Sequence, residues 1–262
     1  MDNFHLEKWY LDCVAENGDA FIGYVARLRM RKVVLHYSSI LLRDRRTGVH
    51  SETSLRQCQF PRIDQEKISM SSRGLSVTGE WITLSSSVER AWDIEGAGTM
   101  QWKCLQPLSR ASVQIGKRSP LEGLGYVEQL TLTIPPWKLP CNELRWGHVL
   151  LESDAIVWID WKGTRQESMV LKNGVEVPGC TIGDDEIRGD GSTLNLRLRE
   201  KTVLRNGQLV STALSMIPGI SSLFPSGILN THECKWLSQG QLVRPSLPSA
   251  TGWAIHEVVR FR

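Results

Sequence analysis

The sequence contains no apolar stretch near the roughly 20 residues that a helical membrane span requires. Its opening, Met1-Asp2-Asn3-Phe4-His5-Leu6-Glu7, has neither a basic nor an apolar signal region, so secretion is not expected and the cytoplasm is the simplest compartment. Cys13, Cys58, Cys104, Cys141, Cys180 and Cys234 include no Cys-x-x-Cys pair and read as small hydrophobes, neither disulfides nor zinc ligands. His-x-His and His-Glu-x-x-His spacings are missing, which argues against a metal site. No glycine-rich loop leads into Lys-Ser or Lys-Thr, and Gly96-Ala97-Gly98 reads as a plain turn. Residues 74–79 are one too long for a nucleophile elbow, and no helical pattern follows them. No cofactor is therefore expected. Charge of one sign is scarce as well: the net charge is +3, and the runs at 27–32 and 43–46 read as a solvated strand end and a turn. A nucleic-acid partner is not expected.

Helical periodicity is also nearly absent, and what is present has period two. Ser192-Thr193-Leu194-Asn195-Leu196-Arg197-Leu198-Arg199 puts three leucines on one face and polar groups on the other, as a half-buried strand requires. Asn173-Gly174 and Asn206-Gly207 each predict a type I′ hairpin, because both residues tolerate positive φ. Further strand candidates fall at 21–29, 33–42, 76–84, 88–94, 99–105, 126–134, 146–152, 155–161, 228–237 and 253–261. Many short strands with intervening turn signals predict an all-β protein of closed or doubled antiparallel sheets.

Two stretches could separate halves. Residues 116–125 are rich in turn formers, and 134–140 carry three prolines that no central strand accommodates. The boundary is placed near 120, giving halves of 1–120 and 121–262, with the proline stretch as a loop of the second half. A faint echo between Tyr10-Leu11-Asp12 and Trp158-Ile159-Asp160 suggests duplication.

The sequence has ten tryptophans, which either fill two cores or line a cavity where a flat or polyene-like ligand could stack. The densest set of chemical groups lies at 125–163. Tyr126 and Glu128 share one strand face, and Trp158 and Asp160 share another. A carboxyl group desolvated beside indoles has its pKa raised and can protonate an alkene or carbonyl, while aromatic faces stabilise the resulting cation. Equally, Glu128 or Asp160 could form an interior ion pair with Arg145 or point to solvent. His232-Glu233 and His256-Glu257 place their members on opposite strand faces, so neither pair is a dyad.

Glu7-Lys8-Trp9-Tyr10, Gly125-Tyr126-x-Glu128, Arg145-Trp146-Gly147 and Trp158-x-Asp160 together resemble the carotenoid 1,2-hydratase and AttH-like family of tandem lipocalin-like proteins. Tocopherol cyclases and lipocalin-like Diels–Alderases look like more distant relatives. The resemblance covers most of the chain and implies two tandem lipocalin-like barrels or sandwiches around an apolar ligand. It further implies catalytic roles for Asp160, Glu128 and Arg145, and substrate contacts from Tyr126, Trp146, Trp158, Gln129, Trp9 and Tyr10. The family pattern Gly-Tyr-x-Asp-His-Asn-Trp-Gly is changed here: Glu128 replaces the first Asp, Gln129 the His and Thr131 the Trp, while Trp158 replaces the Tyr of the later Tyr-x-Asp. Losing the histidine speaks against water addition. The expected activity is cyclisation or isomerisation of a polyunsaturated terpenoid or polyketide-like molecule, by acid or pericyclic catalysis. The alternatives are a carrier of a hydrophobic metabolite and an interaction module. Open strand edges could also pair with a second copy as a homodimer.

Overall fold

A computed structural model of the chain describes residues 4–190, 194–212, 215, 225–244 and 247–261. The chain divides into two compact units, Met1–Leu139 and Pro140–Arg262. Both are antiparallel β-structures, as the period-two pattern predicts.

The first unit carries β1 (Phe4–Val14), β2 (Ala20–Met30), β3 (Val33–Asp44), β4 (Gly48–Ser54), β5 (Arg62–Asp64), β6 (Lys67–Ser72), β7 (Val77–Thr83), β8 (Val88–Ile94), β9 (Gly98–Ile115) and β10 (Leu121–Leu132). Their order is β4-β3-β2-β1-β10-β9-β7-β6-β5, with β8 also paired to β9. Strands from both arms meet in one core: Ile40 from β3 and Ile68 and Met70 from β6 pack with Trp9, Leu11, Phe21 and Trp81. A Cβ added at Gly74, just past β6, would stand 3.0 Å from Ser54 Oγ at the end of β4. The sheet therefore curls until its two arms approach. Pro107 lies inside β9, where a proline can sit only at an irregularity. The register with β10 shifts there, from Gly125 opposite Ser109 to Val127 opposite Gln106 and Glu128 opposite Cys104.

The second unit carries β11 (Glu143–Leu150), β12 (Ala155–Lys162), β13 (Glu167–Lys172), β14 (Val175–Glu176), β15 (Thr181–Ile182), β16 (Glu186–Arg188), β17 (Asn195–Gln208), β18 (His232–Arg244) and β19 (Leu247–Arg260). Their order is β14-β13-β12-β11-β19-β18-β17-β16-β15. Its core gathers Trp158 and Val170 from one arm with Ile182, Ile187 and Leu196 from the other. In each sheet the first strand lies in the interior, pairs with the last, and leads through hairpins to one edge. The duplication is thus visible in the topology, with β11 in the place of β1 and β12 in that of β2. The Tyr10–Asp12 and Trp158–Asp160 echo joins β1 to β12, which are not equivalent strands.

Two further expectations differ from the structure. The division expected near 120 falls in a hairpin: β10 pairs with β1 and β9, so the first unit continues to Leu139 and the prolines mark its end. Asn173 and Gly174 adopt φ of 52° and 81° and turn the β13–β14 hairpin as predicted. Asn206-Gly207 instead lies within β17, opposite Cys234 and Glu233, because the long partner β18 extends the ladder past it. Ser192 and Thr193 of the alternating segment lie outside the described residues, while Asn195 onward is strand as expected.

Candidate functional site

The cluster expected at 125–163 is divided. Tyr126, Glu128 and Gln129 lie on β10 of the first unit; Arg145, Trp146, Trp158 and Asp160 lie on β11 and β12 of the second. Strand alternation divides it again. In the first unit, Trp9 and Gln129 sit opposite each other on the face that carries the core. Glu7 engages both: its Oε1 accepts from Gln129 Nε2 at 3.0 Å and Trp9 Nε1 at 3.4 Å, while Oε2 pairs with Arg27 at 3.2 Å.

Tyr10, Tyr126 and Glu128 share the other face, which is also buried. There Glu128 Oε2 accepts two hydrogen bonds, from Tyr126 Oη at 2.8 Å and from the Trp102 indole at 2.6 Å. The Tyr10 ring stands edge-on to Tyr126 and to Tyr24. Burial first, then the neighbouring Cys104 and Glu128, raise the Tyr126 phenol well above its ordinary pKa, so it remains a donor. Glu128 thereby acts as an acceptor that fixes Tyr126 and Trp102, a geometry for orienting a phenol more than for giving up a proton.

The second unit presents a layered interior face. At its rim, Glu143 accepts from Arg145 Nε at 2.8 Å and Arg260 Nε at 2.9 Å, and Arg145 also pairs with Asp184. Arg145 stands opposite Asp160 in register, yet its guanidinium is engaged by these other carboxylates. Lys162 Nζ lies 3.6 Å from Asp160 Oδ2. Burial raises the Asp160 carboxyl above the usual range, against the pull of Lys162 and Arg145. One pleat repeat further in lies Trp158, then Ile156 and the apolar core.

Residues that the sequence did not bring forward complete this face. His256 on β19 stacks on Trp236 of β18, with centroids 5.2 Å apart and planes at 25°, and lies 6.3 Å from Trp158. Its Nε2 is 2.8 Å from Ser238 Oγ, both side chains being buried. Lys201 Nζ sits 5.3 Å from the Trp236 ring centre. Trp158 and His256 both stand opposite Gly147, where a Cβ would collide with the Trp158 ring and come within 2.6 Å of His256 Cβ. Gly147→Ala is therefore expected to displace both rings and destabilise the unit by about 1–3 kcal/mol, the usual result of overpacking; thermal melting would show it, and an unchanged Tm would contradict this packing.

On the opposite face of the second unit, Trp146 lies beneath Lys235, whose Nζ is 5.3 Å from the ring centre. Lys235 is only 1% exposed. It pairs with Glu257 and lies 3.8 Å from Glu233, which in turn faces Arg205 at 3.5 Å. Trp146 is thus separated by alternation from Arg145 and Asp160. A lysine in the run Cys234-Lys235-Trp236 offers no sequence signal of burial; only its partner strand β19 brings Glu257 to it. No group of three or more His, Cys, Asp or Glu side chains suited to a metal ion occurs among the described residues.

No family model matches the sequence, and no curated protein matches it. Solved structures do match the fold. CghA, determined with Sch210972, superposes with a TM-score of 0.57 at 12% identity, over 98% of this chain and 89% of that one. An AttH-like protein of Nitrosomonas europaea gives 0.56 at 9% identity, over 97% and 92%. Kievitone hydratase from Nectria haematococca gives 0.55 at 9% identity, over 97% and 88%. The chain therefore has the tandem lipocalin-like fold of these structures. Among the described residues no helix is long and apolar enough to cross a membrane.

Proposed function

We propose that the chain is an enzyme that binds a hydrophobic, polyunsaturated terpenoid- or polyketide-like molecule and cyclises or isomerises it, with Asp160 as the proton donor. The observation that carries this reading is the Asp160 carboxyl, raised by burial, on the same interior face as Trp158. A carboxyl whose neutral form is favoured by desolvation can protonate an alkene, and indole faces beside it stabilise the cation that follows. Arg145 holds the rim by bridging Glu143 and Asp184, and so positions the strand end that carries the acid's neighbours. The fold adds support: CghA was solved with a small molecule, and another protein of this fold is named a hydratase.

Of the two carboxyl groups that stood as candidates, Asp160 suits proton donation better. Glu128 already accepts from Tyr126 and Trp102 and serves to orient them. The test is incubation of the purified chain with linear polyenes, namely geranylgeraniol, squalene and lycopene, followed by mass spectrometry. An enzyme of this kind yields products of unchanged mass and altered retention. Tight binding with every polyene recovered intact would instead make the chain a carrier.

A further inference from the structure

We propose that His256, paired with Ser238, is the proton acceptor that ends the reaction, so that the product is an alkene and not an alcohol. This rests on the reading of Asp160 given above and adds the fate of the cation. The Asp160 proton adds to one alkene carbon, and the π pair forms the new C–H bond, leaving a cation on its neighbour. A C–H bond beside that cation breaks, its electron pair forms the new C=C bond, and its proton goes to the imidazole. Substrate and product share one formula. The cycle closes when the imidazolium proton leaves to solvent and Asp160 is reprotonated.

The geometry supports this role on three counts. His256 lies on the interior face, opposite Gly147 and stacked on Trp236, with Trp158 across the same glycine. A cation lodged against these indoles would lie beside the imidazole. Ser238 Oγ lies 2.8 Å from Nε2. With Nε2–H donating to that hydroxyl, the neutral ring keeps its lone pair on Nδ1, which takes up the proton while the bond to Ser238 stays in place. Finally, the ring is neutral. Burial first, then Lys201 and Lys235, lower its pKa to about 3, with His148 acting in the same sense and Asp185 opposing. A neutral imidazole is a weak base here, but a C–H beside a carbocation is a far stronger acid than an imidazolium, so a weak base suffices. Lys201 and Lys235 would also speed the proton's departure to solvent.

The test uses stable cation mimics and does not depend on turnover. N,N-dimethylgeranylamine is protonated at pH 7 and presents one N–H; trimethylgeranylammonium has the same charge and none. Isothermal titration calorimetry of the full chain is expected to show the N–H-bearing amine binding about tenfold tighter, the scale of one hydrogen bond to a charged group. His256→Phe, which keeps a ring between the tryptophans, should remove the difference while leaving trimethylgeranylammonium affinity unchanged. His256→Gln, which retains an acceptor, should restore part of it and serves if the Phe variant does not fold. Equal affinities in the wild-type chain, no binding of either amine, or discrimination that survives in His256→Phe would overturn the proposal. Failure of the Asp160 reading looks different: conversion of a polyene would persist in Asp160→Asn. If conversion needs Asp160 but the product carries added water, the His256 proposal alone falls.

Discussion

Asp160→Asn is expected to lower conversion of a polyene substrate about a hundredfold or more, the range that a positioned general acid contributes. The amide keeps the shape of the carboxyl and removes only its transferable proton. Stability should hardly suffer. Asp160 has a raised pKa in the folded chain, so its charged form is the one that folding disfavours. For such a group the stabilising contribution is present at low pH and declines as pH rises through the unfolded and then the folded pKa. The neutral amide cannot carry the charge that burial disfavours, and it loses only the 3.6 Å contact with half-exposed Lys162. A fall in rate with an unchanged melting temperature would separate chemistry from folding. The wild-type rate should decline about tenfold per pH unit above the Asp160 pKa, because only the protonated carboxyl is the donor. A rate that is flat with pH, or an Asp160→Asn chain as active as the wild type, would remove the acid from the mechanism.

Trp81→Ala should have the largest effect on stability. Trp81 is fully buried, and its indole N–H donates to the Asp12 carbonyl at 2.6 Å. The ring fills space left by two glycines: a Cβ on Gly125 would fall 2.7 Å from Trp81 Cδ1, and one on Gly79 would fall 2.7 Å from Cη2. Removing the indole leaves a cavity among the core side chains, walled in part by the backbone at Gly79 and Gly125. The expected loss is about 3–5 kcal/mol for the large-to-small change, with roughly 1 kcal/mol more for the lost indole hydrogen bond. Trp81→Phe restores the ring volume in part and should recover more than half of the loss. Urea unfolding measures both; an alanine variant within about 1 kcal/mol of wild type would refute this account of the first core.

Much of the fold was legible from alternation. Leu194, Leu196 and Leu198 enter the second core together, as a half-buried strand requires. Asn173-Gly174 turns a hairpin because the strands flanking it end there. Asn206-Gly207 has the same local chemistry, but β18 runs alongside it and keeps it in the ladder. The turn formers at 116–125 suit a boundary as well as a hairpin, and they close the β9–β10 hairpin, since composition does not say which strands pair across a turn.

The site was legible only within single strands. That Tyr126 shares a face with Glu128, and Trp158 with Asp160, follows from the pleat and holds. What sequence proximity could not give was the separation of β10 from β11, which puts those two pairs in different units. Alternation along β19 separates His256 from its neighbour Glu257 and so offers no dyad in sequence. The partners of His256, Ser238 and Trp236, come from the neighbouring strand β18, and only the β18–β19 pairing brings them to it. Lys235 was invisible for the same reason, its ion pair with Glu257 being a pairing across strands.

The most direct test of the central claim is to isolate the Asp160→Asn chain from its own host and identify what it carries by native mass spectrometry. The account predicts an unsaturated, apolar molecule that the wild-type chain, supplied with it, converts to an isomer of the same mass. A molecule that the wild-type chain returns unchanged, or a protein that carries none, would contradict it.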